Sequence, residues 1–212
     1  MVGIDLNAAP GSYPVHVDSG TEHAVYTLVV HPRRFRTRRL TVDPAFVSPP
    51  ASARERIERE TALLNETWRH PSPDRLWTDA FVPPVDDAAN SAFGTRSVFN
   101  GTPLNPHSGA DFMSPAGRPI RAPNAGRIVI ARDLYFSGNT VVIDHGLGLF
   151  SLLAHLSAFD VHEGDRVAAG EIVGRVGATG RVTGPHLHWA VRATGARVDP
   201  LSLLAVLGDT PP

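Results

Sequence analysis

The chain has 212 residues, a formal net charge of -1 and 42% apolar residues. That length permits one large domain or two small ones, and that apolar content excludes disorder. The near-zero charge supplies no field toward nucleic acid or an anionic membrane, no apolar run approaches the ~18 residues of a membrane span, and the lack of cysteine excludes a disulfide framework. Gly and Pro, 19 each, favour many short strands over long helices. All 20 basic residues are arginine.

The first residues, Met1 to Asp5, lack the basic start and apolar stretch of a signal peptide. Residues 1 to about 50 read as a small β unit. Val15 and Val17 alternate with His16, Ser19-Gly20 turns the chain, Ala24 to Val30 forms an apolar strand, and Arg38 to Val42 starts another. The basic run Arg33, Arg34, Arg36, Arg38 and Arg39 reads as a solvated loop or a charged edge strand. Pro49-Pro50 precedes a helix over about 52 to 69, with Ser52 and Glu55 at capping-box spacing and Ile57, Leu64 and Trp68 on one face. Four prolines, at positions 71, 73, 83 and 84, make 70 to 90 an irregular connector that holds the domain boundary and is placed to cross a groove near His107. From about 91, strands are expected at Arg127–Arg132, Thr140–His145, Leu149–His155, Ile172–Val176 and Leu187–Arg192, in an all-β pattern of hairpin spacing.

Two histidines stand out at the end of that series. His186 and His188 lie two apart on an extended segment and so project from one face. Neighbouring imidazoles are costly to bury unless something uses their lone pairs, and a metal is the commonest such user. His107 and Asp111, four apart with Gly109 between them, can meet at one locus. Together with His188 they make two imidazoles and one carboxylate, a three-ligand set that leaves a position for water, as in catalytic zinc sites. His155, at the end of an apolar strand, and His186 can then flank that water as proton carriers. His16, His23, His31, His70, His145 and His162 have no partners at ligand spacing, and His145 reads as a turn residue. Gly180, Thr183 and Gly184 shape the loop before the last histidines, and Arg181 on that loop reads as solvated, with a substrate carboxylate as its other use.

The segments His107-x-x-x-Asp111, Ala154-His155-Leu156 and Gly184-Pro185-His186-Leu187-His188, in that order, resemble the lysostaphin-type zinc metallopeptidases, the peptidoglycan endopeptidases. The likeness extends over roughly residues 93 to 204 and takes in Phe99-Asn100-Gly101, Asn139-Thr140-Val141 and Val198-Asp199-Pro200-Leu201. Arg39 to Pro44, with Pro49-Pro50, resembles the β-rich region that often precedes this domain in envelope members. The resemblance implies one Zn2+ per chain held by His107, Asp111 and His188, with His155 and His186 as catalytic histidines. It implies hydrolysis of peptide stems or cross-bridges of bacterial peptidoglycan, by a protein of the cell envelope, periplasmic or secreted, from which any leader has been removed. Members often carry Tyr two residues before the first catalytic histidine, where this chain has Leu153.

The expected architecture is mainly β. A small β-rich domain spans 1–50, a linker helix and connector span 51–90, and an antiparallel, barrel-sandwich-hybrid-like metallopeptidase domain spans 91–212. Residues Val161 to Gly174 also resemble the hairpin of lipoyl and biotinyl carriers, but a carrier needs a lysine and this chain has none. A non-catalytic, wall-binding regulator of other hydrolases is the other reading; it calls for a missing ligand, and none of the three is missing. Oligomeric state leaves no mark in the sequence.

Overall fold

A computed structural model describes residues 2–41, 49–91 and 93–208. Val42, Asp43 and Pro44, which belong to the N-terminal likeness, lie outside the described residues. Among the described residues the fold is mainly β with two α-helices.

β1 (Gly11–Ser19) and β2 (Glu22–Val30) form an antiparallel hairpin around the Gly20 turn. The chain before and after this hairpin returns to the main body. Asp5 takes three hydrogen bonds from Arg197, from its backbone N at 2.9 Å, Nε at 3.0 Å and Nη2 at 2.7 Å. β3 (Thr37–Leu40) pairs in parallel with β5 (Arg96–Phe99), and Arg38 Nε donates to Ser97 Oγ at 2.9 Å.

The helix α1 (Arg54–Arg69) follows a 3-10 turn over Ala51–Ala53. The Ser52–Glu55 capping box does not form: Ser52 is inside the 3-10 turn, the N-cap is Ala53, and no side chain caps the helix. One face of α1 packs Leu63, Leu64 and Trp68 against Ile130, Val142 and Phe150. Trp68 meets Phe150 edge-on at 5.1 Å between centroids, and Arg56 pairs with Asp133 at 2.7 Å. The helix therefore covers the outer face of a sheet, where burial of its apolar stripe stabilises it, rather than serving as a spacer.

The proline-rich segment that follows is irregular, as its composition requires, but it takes a different route from the one expected. None of the described residues of 70–90 lines the groove that contains His107. The segment is instead stitched along the far end of the sheet. Ser72 donates to Asp144 Oδ2 from both N and Oγ at 2.7 Å, Leu76 N donates to the His145 carbonyl, and Phe81 and Val85 enter the core. The physical reason is apolar: burial of Phe81 and Val85 in the core holds the segment at that end of the sheet. Asp144 is 2% exposed and also accepts from Gly146 N, so Asp144→Ala leaves three donors without their acceptor. A loss of about 3 kcal/mol in unfolding free energy is expected by denaturant titration.

The main sheet contains β4 (Ala89–Ser91), β7 (Gly109–Phe112), β8 (Pro119–Arg121), β9 (Gly126–Leu134), β10 (Gly138–Gly146), β11 (Leu149–Phe159), β12 (Arg166–Val167), β13 (Ile172–Val176), β14 (Leu187–Ala193) and β15 (Ala196–Val198). A short β6 (Thr102–Pro103) pairs with β5, and α2 (Pro200–Leu207) closes the chain behind an Asp199 cap. The strand order is β12-β9-β10-β11-β14-β7-β4, antiparallel throughout, with β13 joining β11 to β8 and β15 edging β14. The five strands expected from alternation all form. Alternation also sets the core: Leu187, Trp189 and Val191 point inward from β14 while His188 and Ala190 face the other way. His145, expected in a turn, is instead a fully buried strand residue of β10. Its Nδ1 donates to the Ala125 carbonyl, Ser151 Oγ sits on Nε2 at 2.9 Å, and burial lowers its pKa to about 4.

Candidate active site

Register builds the site. In the antiparallel pair β7–β14, His188 stands directly opposite Asp111, and in β11–β14 it stands opposite Ala154. Cross-strand partners share a face, so Asp111 and His188 meet. His107 lies just before β7, where its backbone N and O are bonded to Thr95 and Gly94. Asp111 Oδ1 lies 2.9 Å from His107 Nε2 and 2.8 Å from His188 Nδ1, and the two nitrogens are 3.1 Å apart.

Three atoms that can each offer a lone pair thus converge on one point. Burial opposes charge on Asp111, but the hydrogen bonds from His107 and His188 outweigh it and hold the carboxyl well below the usual range. Burial also lowers the pKa of His188, against the pull of Asp111. One ionised carboxylate and two imidazoles, that of His188 biased toward the neutral form, are the donor set of a borderline divalent cation. The residues present fit zinc.

Gly109 permits this approach. A Cβ there would overlap the Trp189 carbonyl oxygen and lie 2.8 Å from His188 Cε1. Gly109→Ala must push β7 off β14 and displace His188, so zinc affinity is expected to fall at least about tenfold in a chelator competition titration.

The other two histidines sit where β11 changes partners. Leu149 to Ala154 pairs with β14, whereas Leu156 to Phe159 pairs with β13. His155 occupies the switch, with a left-handed φ of 68°. That conformation costs a non-glycine residue of order 1 kcal/mol, a strain that clusters at functional sites. The loop from β13 back to β14 lies in the gap so opened, closed by a bridge between Gly177 and His186. The ring of His155 lies 4.7 Å from that of His186 and 6.1 Å from that of His188, centroid to centroid.

Each of these two rings is fixed by a carbonyl. His155 Nδ1 lies 3.0 Å from the Thr179 oxygen, and His186 Nδ1 lies 2.9 Å from the Gly184 oxygen. A carbonyl can only accept, so both imidazoles carry their proton on Nδ1 and keep a lone pair on Nε2. Burial, then the nearby His188 and His186, lowers the pKa of His155 to about 4, so it is neutral at neutral pH.

All five residues singled out in the sequence, His107, Asp111, His155, His186 and His188, line one groove of about 1300 Å³. His16, His23, His31, His70, His145 and His162 are not among its lining residues. Sequence reasoning missed Thr179. Its carbonyl holds His155 while its hydroxyl donates to the Leu156 carbonyl and accepts from Asn139 N. No spacing rule marks such a residue, because its role comes from backbone atoms. Arg181, expected to be solvated, is exposed; it lines the groove, and its guanidinium lies over the Phe136 ring at 4.5 Å. Leu153, which stands where relatives often have Tyr, is fully buried in the core.

Comparison with known proteins agrees with this geometry. The profile of peptidase family M23 matches residues 105–200. The crystal structure of a peptidase M23 from Pseudomonas aeruginosa superposes with a TM-score of 0.76 at 37% identity, over 96% of this chain and 77% of that one. A zinc-containing peptidase from Vibrio cholerae gives a TM-score of 0.53 at 33% identity, over 56% of this chain and 38% of that one. The peptidoglycan DD-endopeptidase ShyA of Vibrio cholerae is 42% identical over 94 residues, 44% of this chain. The matched stretch spans 22% of the length of ShyA. With the five-residue groove and near full-length likeness to the Pseudomonas structure, the chain belongs to peptidase family M23, a family of zinc metallopeptidases.

Proposed function

We propose that this protein is a zinc-dependent endopeptidase that hydrolyses peptide cross-links of bacterial peptidoglycan, acting in the cell envelope as a periplasmic or secreted protein. The observation that carries this reading is the convergence of His107 Nε2, Asp111 Oδ1 and His188 Nδ1 beside two histidines that are not part of the triangle. One zinc per chain is held by those three atoms. A structural zinc would take a fourth protein ligand, and His155 and His186 are tied instead to carbonyls through Nδ1. The complete ligand set also favours the catalyst over the non-catalytic regulator.

Zinc in this site supplies Lewis acidity, polarising the scissile carbonyl and acidifying the attacking water. The protein supplies orientation and proton transfer. His155, neutral and with Nε2 open, accepts the proton of the water. The proton taken by His155 is the one delivered to the leaving amine, and His186, with the same tautomer, has its Nε2 placed beside the reacting carbonyl to pass that proton on. The carbonyls of Thr179 and Gly184 hold each ring through the transfer and favour its cationic form afterward. In this reading the catalytic unit is 91–212, preceded by a small β-rich unit over 1–50 and a helix and connector over 51–90.

The test is metal removal. Dialysis against a strong chelator is expected to abolish cleavage of purified peptidoglycan, and one equivalent of zinc is expected to restore it. Full activity in the metal-free protein would sink the reading.

A further inference from the structure

The groove sorts charge. Among the described residues lining it, five are arginines, Arg36, Arg38, Arg181, Arg192 and Arg197, and one is acidic, Asp111. The chain as a whole carries 20 basic and 21 acidic residues, so five to one is a local arrangement. Asp111 is committed to the ring nitrogens of His107 and His188. Asp5 offsets Arg197, and Arg192 lies over Trp68 while bonding the Gly195 carbonyl. The strand β3 brings Arg36 and Arg38 to the same groove from the N-terminal part of the chain.

Arg181 is the arginine nearest in sequence to the chemistry. It lies two residues after Thr179, whose carbonyl holds His155, and three before Gly184, whose carbonyl holds His186. Its backbone N donates to the Phe136 carbonyl at 3.0 Å, and its guanidinium stacks on the Phe136 ring. A planar cation stacked on an aromatic face loses little further freedom on meeting a carboxylate, which its fork can take with two hydrogen bonds.

We propose that the groove selects an anionic peptide, with a free carboxylate near the scissile bond engaged by Arg181, over a neutral bridge such as oligoglycine. This rests on the wall-peptidase reading above and names the substrate class within it. Arg36 and Arg38 extend the positive potential along the groove, where a second carboxylate of the same peptide is held more loosely.

The experiment uses the full, zinc-loaded chain and three soluble peptides: a cross-linked stem dimer with free carboxylates, the same dimer with those groups amidated, and pentaglycine. The wild type is expected to show a kcat/KM about ten- to a hundredfold higher on the free acid than on its amide, the effect of one charge-assisted contact. Arg181→Gln is expected to bring that ratio close to one, chiefly by raising KM for the acid, with zinc content unchanged. Arg181→Lys restores part of the preference. Equal kcat/KM for acid and amide in the wild type, a preference for pentaglycine, or a variant that loses equally on acid and amide overturns the selection while leaving the hydrolase reading intact. Cleavage of none of the three peptides overturns the hydrolase reading and the selection with it.

Discussion

Replacing His188 by alanine is expected to empty the metal site and reduce peptide hydrolysis by at least about a thousandfold, the cost of losing several kcal/mol of transition-state stabilisation. His188 is the hub of the site. It is paired in register with Asp111 on one side and with Ala154, the neighbour of His155, on the other. Its removal takes one of the three proposed metal contacts and leaves Asp111, partly buried, with a single imidazole partner, a poor site for a divalent ion. The fold is not expected to fail, because the strand is held by Leu187 and Trp189 on the opposite face, both fully buried. Metal analysis by plasma spectrometry should read near zero zinc in the variant against about one per chain in the parent. Retention of zinc and activity would mean that His188 is not a ligand.

His155→Ala should separate chemistry from binding. The ring of His155 is tied to Thr179 and lies outside the ligand triangle, so its loss leaves His107, Asp111 and His188 in place. Zinc content should stay at the parental level, while turnover falls by about 10²- to 10⁴-fold, the usual contribution of a positioned proton acceptor. Alanine, like histidine, carries a Cβ at this left-handed position, φ 68°, so a thermal melt of the variant checks that the loss is not one of fold. The loss should fall on kcat more than on KM, since a proton transferred in the transition state adds little to ground-state binding. A variant that cleaves at the parental rate would remove His155 from the mechanism.

The legibility of these features in the sequence follows from their physics. The strands of the main sheet were readable because alternation is a local property. Leu187, His188 and Trp189 already state which side is inside. The convergence of His107, Asp111 and His188 was readable because a candidate ligand set needs particular residue types, which carry their chemistry in their side chains. The route of 70–90 was not readable. Its prolines forbid regular structure but say nothing of destination, which Phe81, Val85 and the Asp144 contacts decide through distant strands. His145 was misread because Asp-His-Gly is a turn composition locally, whereas Ala125 and Ser151 supply partners that only the folded sheet brings near. The helix cap failed for a similar reason: packing of Leu63, Leu64 and Trp68 stabilises α1 without the Ser52 box. The tautomers of His155 and His186 depend on the carbonyls of Thr179 and Gly184, and backbone acceptors have no signature in a sequence.

Mass spectrometry of fragments released from purified peptidoglycan is the most direct test of the central claim. Incubation with the zinc-loaded protein should convert cross-linked dimers to monomers, each cleavage adding one water across a peptide bond, and the His155→Ala protein should leave the dimers intact. Dimers that persist with the zinc-loaded parent, or that disappear equally with the variant, would contradict a zinc peptidase working through this groove.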